Sequence, residues 1–383
     1  MKITIVLGAF LPVPPIMGGA VEKVWFMLAQ EFARRGHEVV QVSRSTPSFP
    51  REQILESVQH LRVRGFDTPR SLIWLKILDF AYSVNAMLIL PKSDVVVTNT
   101  FWLPILLHNS KRGRVYVHVA RYPKWQMPFY KRAARLQAPS RAVAQAIVKE
   151  APQLERKVSV IPYPAPRSIA RTEPPPITER EKTILFVGRL HPEKGVHLLV
   201  NCFAGNARAA FADWTLMIVG PAEKQFGGAG EPYLASLKAS AEEVRDRVIF
   251  AGPIFDPVLL EQNFRDARLF VYPSLADRGE SFGLAPLEAM AHGCGVLVSN
   301  LDCFQDFIRD GESGFVFDHR LKSPVEALRE KIQNVIVDQA LLSRVAEAGY
   351  RESANYSVPR VADQFLHDFS LVMAQSDAAG TNR

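Results

Sequence analysis

Residues 2–43 read KITIVLGAFLPVPPIMGGAVEKVWFMLAQEFARRGHEVVQVS. The opening KITIVLG is an unbroken β-rich apolar run, the pattern of a strand buried on both faces. AFLPVPPIMGGA follows as a Pro/Gly loop. The next segment sets Val21, Val24, Trp25, Leu28 and Phe32 at helical spacing before Gly36 ends the helix. EVVQVS then reads as a second strand. Strand, helix and strand in this order make a βαβ unit, and the wholly apolar first strand points to doubly wound α/β architecture.

Working outward, further strands are expected at DVVVTNT, RVYVHV, RLQAPS and KVSVIPYP, with helical connections between most of them. Residues 72–90 are the most apolar long segment, but Lys76, Asp79 and Asn85 lie within it. Charges near the middle of a membrane span are costly, so a buried or surface-packed helix is expected there. Residues 164–182, PAPRSIARTEPPPITEREK, are dense in proline and charge and lack periodicity, which suits a linker. Alternation restarts beyond it: TILFVGRL, WTLMIVG, RVIFAGPI, ARLFVYPS and CGVLVSN read as strands and GVHLLVNCFAGNA as a helix. A chain of 383 residues also exceeds the roughly 250–300 at which one core stops growing. Two α/β domains are therefore expected, 1–165 and 182–356, joined by a linker over 166–181, with the ligand in the cleft between them at the carboxyl ends of the strands. The polar tail 376–383 is expected to be disordered.

Composition narrows the function classes. Hydrophobic residues make up 48% of the chain and charged residues 22%, which excludes disordered and fibrous classes. The formal charge of +7 favours an anionic partner, whether nucleotide phosphate, acidic leaflet or nucleic acid. Cys202, Cys294 and Cys303 show neither CxxC nor Cys/His metal spacing, arguing against a disulfide framework or structural zinc. The short apolar N-terminus reads as a strand rather than a signal peptide, so a reducing, cytoplasmic location is expected.

Two stretches carry chemistry. FVGRLHPEKG, residues 186–195, ends the first strand of the second half. Gly188 allows a close turn, and Arg189 and Lys194 offer two cations able to share a diphosphate; in isolation such a pair reads equally as solvated loop residues. ESFGLAPLEAMAHG, residues 280–293, sets two carboxylates across a glycine and a proline at the start of a helix. A helix N-terminus offers unpaired N–H groups and partial positive charge, and Gly283 lets a phosphate approach. Glu280 precedes the helix, whereas Glu288 lies one to two turns along it, where it can accept the hydroxyls of a ribose. The spacing fits a nucleoside diphosphate carrying a further group at Glu280. The blander alternative is a helix cap and a solvated acid.

With these motifs in place, the chain resembles the retaining glycosyltransferases of the GT-B fold known as glycosyltransferase family 4. PPIMGGAVEKVWFMLAQEFARRGHEV is similar to that family's Gly-Gly loop and helix, FVGRLHPEKG to its phosphate-binding turn, and ESFGLAPLEAMAHGCGVLVSN to its E-x7-E signature. The resemblance spans nearly the whole chain. It implies two Rossmann-like domains facing an interdomain cleft, the first binding acceptor and the second donor, and a helix over 357–375 that crosses back to the first domain. Many relatives have tryptophan where Val358 stands.

The resemblance further implies transfer of a sugar from a UDP- or GDP-linked donor to a carbohydrate or lipid-linked acceptor in polysaccharide or glycoconjugate synthesis. Arg189 and Lys194 would hold the diphosphate and offset charge on the leaving nucleotide. Glu280 would meet hydroxyls of the transferred sugar and Glu288 the ribose. Ser281 and the amides of Phe282, Gly283 and Leu284 would contact phosphate, with Gly18 and Gly19 approaching from the first domain. His118, at a strand end, stands where the family often has a histidine near the sugar, and reads equally as a satisfied core residue. No Asp-x-Asp occurs, and neither a cofactor nor a metal is expected. An epimerase or hydrolase of the same plan, or a silent nucleotide-sugar binder, remains the alternative. An NAD-linked dehydrogenase is disfavoured because no G-x-G-x-x-G follows the first strand. The segment 121–135 interleaves cations and aromatics and would suit the inner face of an anionic membrane, although a helix with core aromatics and solvated cations is the preferred reading. No nucleic-acid module surrounds it. Oligomeric state, base and acceptor are not encoded in any motif.

Overall fold

A computed structural model describes residues 1–69, 71–107, 112–166, 172–205 and 211–380. The chain divides into two compact units, one formed by Met1–Pro164 with Val358–Arg383 and the other by Ala165–Ser357.

In the first unit the chain runs β1 (Lys2–Val6), α1 (Ala20–Arg34), β2 (Glu38–Arg44), β3 (Glu52–Leu55), β4 (Val58–Val63), α2 (Leu72–Ile89), β5 (Val95–Thr98), α3 (Leu103–Leu106), β6 (Arg114–His118), β7 (Arg135–Ala138), α4 (Arg141–Glu150) and β8 (Val158–Val160). The sheet order is β3-β4-β2-β1-β5-β6-β7-β8. Every neighbouring pair is parallel except β3 with β4. Central strands β1 and β5 are almost wholly buried, as their unbroken valine and isoleucine runs require when helices cover both faces. The β3–β4 hairpin was not expected. Its two-residue turn is Glu56-Ser57, both at positive φ, a conformation usually signalled by Asn-Gly.

The second unit runs β9 (Glu181–Val187), α5 (Val196–Ala204), β10 (Thr215–Val219), α6 (Glu231–Ser240), β11 (Val248–Gly252), α7 (Pro257–Asp266), β12 (Ala267–Tyr272), α8 (Leu284–Ala291), β13 (Gly295–Ser299), β14 (Phe315–Phe317), α9 (Pro324–Val337) and α10 (Gln339–Ser353). Its sheet is parallel throughout, in the order β11-β10-β9-β12-β13-β14. The chain winds outward from β9 to one edge, then returns to β12 on its other side. The topological switch point, where open α/β sheets take their ligands, therefore lies between β9 and β12.

The last helix, α11 (Val358–Gly380), belongs to the first unit. Phe365 packs against Trp25 with ring centroids 5.0 Å apart, and Phe369 meets Tyr116 edge-on at 4.9 Å. Asp368 is buried between them and accepts from Tyr116, Ser159 and Arg135. The helix continues past the Ser376 boundary at which a disordered tail was expected; residues 381–383 lie outside the described residues.

Two other expectations need revision. The described part of the proline-rich segment is packed into the second unit rather than free. Arg180 is buried and donates to the carbonyls of Pro175, Ala267 and His292, while Arg268 returns a hydrogen bond to the Arg180 carbonyl. One guanidinium with five donors can anchor irregular backbone in this way; residues 167–171 of the expected linker lie outside the described residues. Nor is 121–135 a helix. It is a loop with a 3-10 turn at Met127–Tyr130 leading into β7, and Arg135 is buried against Asp368 instead of joining a basic surface.

Candidate active site

The loops that follow β9 and β12 meet at the switch point of the second unit. The Glu193 carbonyl accepts from the Leu275 amide at 2.7 Å and from the Ser274 hydroxyl at 3.3 Å. Two glycines permit this convergence. Gly195 holds φ at +69°, and a Cβ there would lie 1.9 Å from the Pro273 carbonyl oxygen. Gly188 passes so close to Gly220 that a Cβ on Gly220 would lie 1.8 Å from its oxygen. Neither Gly195 nor Gly220 tolerates a side chain, for reasons of backbone approach.

Joining the loops brings Lys194 and Glu280 together, 86 residues apart in sequence. Lys194 Nζ donates to Glu280 Oε2 at 2.7 Å, and both side chains are about nine-tenths buried. The same oxygen accepts from the Tyr272 hydroxyl at 3.1 Å and, more weakly, from the Ser274 hydroxyl at 3.4 Å. Burial opposes the charge on Lys194, but the surrounding oxygens of Tyr272 and Glu280 outweigh it and hold its pKa above the ordinary lysine value. Burial first, then the neighbouring carboxylate, pushes Tyr272 up, so its hydroxyl stays protonated and serves as a donor. The result is a fixed cation beside a fixed anion at the end of a parallel sheet.

Arg189 does not join this pair. Its guanidinium donates to the Gly227 carbonyl at 2.6 Å and to Glu193 at 2.7 Å. It is two-fifths exposed, so a stronger bidentate acceptor can draw it from Glu193 at modest cost.

Glu280 is followed by Ser281 and Phe282, and Gly283 caps α8 with φ at +97°. The close contact that excludes a side chain at Gly283 is Phe304, whose Cε1 would lie 2.4 Å from a Cβ. Its ring also meets Tyr272 edge-on. The glycine is thus required by packing, in addition to any ligand approach inferred from sequence. Leu284 begins α8, and its first-turn N–H groups lack intrahelical partners, as at any helix start. Glu288 lies half-buried in the same helix.

Three of the residues inferred from sequence belong to the first unit. Gly18 and Gly19 both adopt positive φ at the start of α1, and a Cβ on Gly19 would strike the Glu22 carboxylate. His118 ends β6 but is buried with both nitrogens engaged, Nδ1 with Gln137 at 2.5 Å and Nε2 with the Tyr163 hydroxyl at 3.1 Å. Burial pushes its pKa down to about 4, against a smaller raising effect from Gln137. In this arrangement it is a neutral, satisfied core histidine. Glu193, Tyr272 and Ser274 are singled out by no motif; Tyr272 ends β12 and the other two stand on the loops after β9 and β12, and that strand-end placement is the available signal. Among the described residues no group of three His, Cys, Asp or Glu is arranged to hold a metal ion.

Two family models match the chain, Glycosyltransferase Family 4 over residues 17–165 and Glycosyl transferases group 1 over 170–352. Among characterised proteins, a phosphatidyl-myo-inositol mannosyltransferase of Mycobacterium leprae is 29% identical over 192 residues, 50% of this chain and 47% of that protein. A D-inositol 3-phosphate glycosyltransferase of Rhodococcus opacus is 30% identical over 194 residues, 50% of this chain and 41% of the relative. In each case the chain spans less than half the length of the relative. Among solved structures, sucrose-phosphate synthase from Thermosynechococcus elongatus superposes with a TM-score of 0.75 at 18% identity, covering 98% of this chain and 100% of that one. Anabaena Alr3699/HepE in complex with UDP and glucose gives 0.73 at 18% identity, covering 97% and 99%. These likenesses establish the fold as GT-B, with two Rossmann-like units.

Proposed function

Since the chain belongs to the family 4, group 1 glycosyltransferases, we propose that it transfers a sugar from a nucleoside-diphosphate donor to a saccharide or lipid-linked acceptor, with retention at the anomeric carbon and without a resident metal. The observation that carries this reading is the buried Lys194–Glu280 pair at the switch point beside the start of α8.

The donor's diphosphate lies against Lys194, Arg189 and the amides of Phe282, Gly283 and Leu284, with Ser281 alongside. Arg189 exchanges Glu193 for phosphate oxygens. Glu288 accepts the ribose hydroxyls, and Glu280 accepts hydroxyls of the sugar to be moved. Lys194 orients the Glu280 carboxylate for this role by donating to Oε2. During transfer the bond from C1 to the β-phosphate oxygen breaks, and a bond from C1 to the acceptor oxygen forms on the same face. The acceptor proton passes to the departing phosphate. Charge builds on the leaving group, and Lys194, Arg189 and the helix start are aimed at it before the reaction begins, so little reorganisation is needed. Gly18 and Gly19 serve the donor diphosphate and the rest of the first unit the acceptor, His118 by supporting the end of β6 through Gln137 and Tyr163. The HepE complex with UDP and glucose supports a uridine-linked donor, and guanosine-linked sugars are the other candidate.

The test begins with thermal shift against UDP, GDP, ADP and their sugar conjugates, because a ligand bound by the folded state alone raises the midpoint. Turnover with the stabilising donor is then measured with and without EDTA, and in Glu280→Gln. Expected are stabilisation by one nucleotide family, EDTA-insensitive turnover, and a kcat loss in Glu280→Gln of about 100-fold or more with donor affinity nearly kept. Undiminished kcat in Glu280→Gln refutes the assignment of that residue.

A further inference from the structure

Helix α2 is built inside out. Its inward face carries Asp79, Tyr82 and Ser83, all buried, while its outward stripe is Ile73, Ile77, Phe80 and Leu88. Ile73 is 74% exposed and Leu88 69%. A helix on the surface of a water-soluble domain normally shows the reverse pattern. The inward face is firmly tied down: Asp79 accepts from the amides of Phe101 and Trp102 at 3.0 and 3.2 Å, and Tyr82 and Ala86 enter the core of the first unit. The helix is thus fixed to its domain, with one side of about 27 Å left apolar. A span across a bilayer would have to pull Asp79 and its partners apart.

The stripe continues into the loop before β7. Phe80 meets Trp102 edge-on, Lys76 sits over the Phe101 ring, and Phe101 reaches Tyr130 of the 3-10 turn. Just before that turn Trp125 is 86% exposed at a positive φ of 71°, its amide held by Glu150. Phe129 is also exposed. A non-glycine residue seldom adopts this backbone conformation, and here the cost is met to display an indole to solvent. Exposed cations accompany these aromatics: Arg121, Lys124, Lys131 and Arg132. Lys124 lies near enough to Lys76 to lower its pKa, after burial, which is the larger cause.

We propose that the outward face of α2, with Trp125 and Phe129, lies in the surface of an anionic lipid leaflet, the apolar stripe entering the acyl boundary and the cations contacting lipid phosphates. Tryptophan with apolar residues and basic side chains in one surface is the composition suited to that interface. A second copy of the chain is the poorer occupant, because a two-fold contact would set basic rim against basic rim. The inference is independent of the transfer chemistry, and its test reads binding alone.

The full chain is sedimented with vesicles of phosphatidylcholine, with and without phosphatidylglycerol. Expected is partition onto the mixed vesicles that weakens with rising salt and with omission of phosphatidylglycerol, accompanied by a blue shift of tryptophan emission. The triple variant Ile73→Gln, Ile77→Gln, Leu88→Gln loses at least about tenfold in partition, since full burial of a single large aliphatic side chain already corresponds to about a decade of affinity. Lys124→Glu lowers partition while Tm stays at the parent value, and light scattering gives one oligomeric state for all variants. A parent chain that stays in the supernatant with anionic vesicles overturns the proposal. So does a folded triple variant that partitions like the parent, and so does a parent dimer that the triple variant dissociates with partition unchanged.

Discussion

Replacing Lys194 by methionine keeps most of its stem but removes the ammonium 2.7 Å from Glu280. Glu280 then remains about nine-tenths buried as an unpaired anion, with only the Tyr272 and Ser274 hydroxyls to solvate it. Breaking a buried pair from one side costs about 3–5 kcal/mol, and two surviving donors favour the lower end. For a unit of this size about 3 kcal/mol lowers the midpoint by about 6–12 °C. The double variant Lys194→Met, Glu280→Gln leaves no unpaired charge and is expected to recover to within about 1 kcal/mol of the parent. Calorimetry of the full chain at pH 8, with parent, both single variants and the double, measures the coupling directly. A Lys194→Met cost below about 1 kcal/mol at pH 8, or a double variant no better than the sum of the singles, refutes the claim that this pair is a buried and mutually dependent unit.

Gly283→Ala is expected to cost about 3 kcal/mol, combining an unfavourable positive φ with overpacking against Phe304, and Phe304→Leu in the same chain should return the overpacking part. Denaturant unfolding checks this, and a cost under about 1 kcal/mol would contradict the packing argument. Glu22 is buried at the start of α1, and burial raises its pKa to about 7, against smaller lowering effects from its own backbone and Arg121. The folded state therefore binds more protons than the unfolded state between about pH 4.5 and 7, and this residue's contribution falls by about 3 kcal/mol as pH rises through that window. His118 has the opposite sign: with a folded pKa near 4 it stays neutral while the unfolded imidazole charges, so stability is lost as pH falls below 6.5. Stability measured from pH 4.5 to 7 should rise more steeply with pH in Glu22→Gln than in the parent; equal slopes would show that Glu22 is not held in a desolvated site.

Legibility from sequence followed the range of the interactions involved. Strands β1, β5 and β9 are buried on both sides, so their apolar runs announce themselves locally. The β3–β4 hairpin alternates with Gln, His and Arg and turns on Glu-Ser, so neither its strands nor its turn carry the usual signal. The apolar content of α2 was plain, but an apolar helix does not reveal which side its domain covers. That depended on Asp79 finding the amides of Phe101 and Trp102, more than twenty residues away.

The candidate site divides in the same way. Arg189, Lys194, Glu280 and Glu288 were legible because each stands at a fixed offset from a strand end or helix start. What no offset could give is that Lys194 and Glu280 touch each other while Arg189 turns to Glu193. The cations and acids of two separate sequence stretches become one pair and one poised guanidinium only when β9 and β12 lie side by side and their loops are pinned through the Glu193 carbonyl. Tyr272 and Ser274 acquire their roles by the same adjacency, since each points at Glu280 from the strand end on which the opposite loop leans. The division of labour follows from burial. A cation sealed against a carboxylate fixes the shape of the site, whereas a half-exposed one held by a surface ion pair is free to respond to whatever enters.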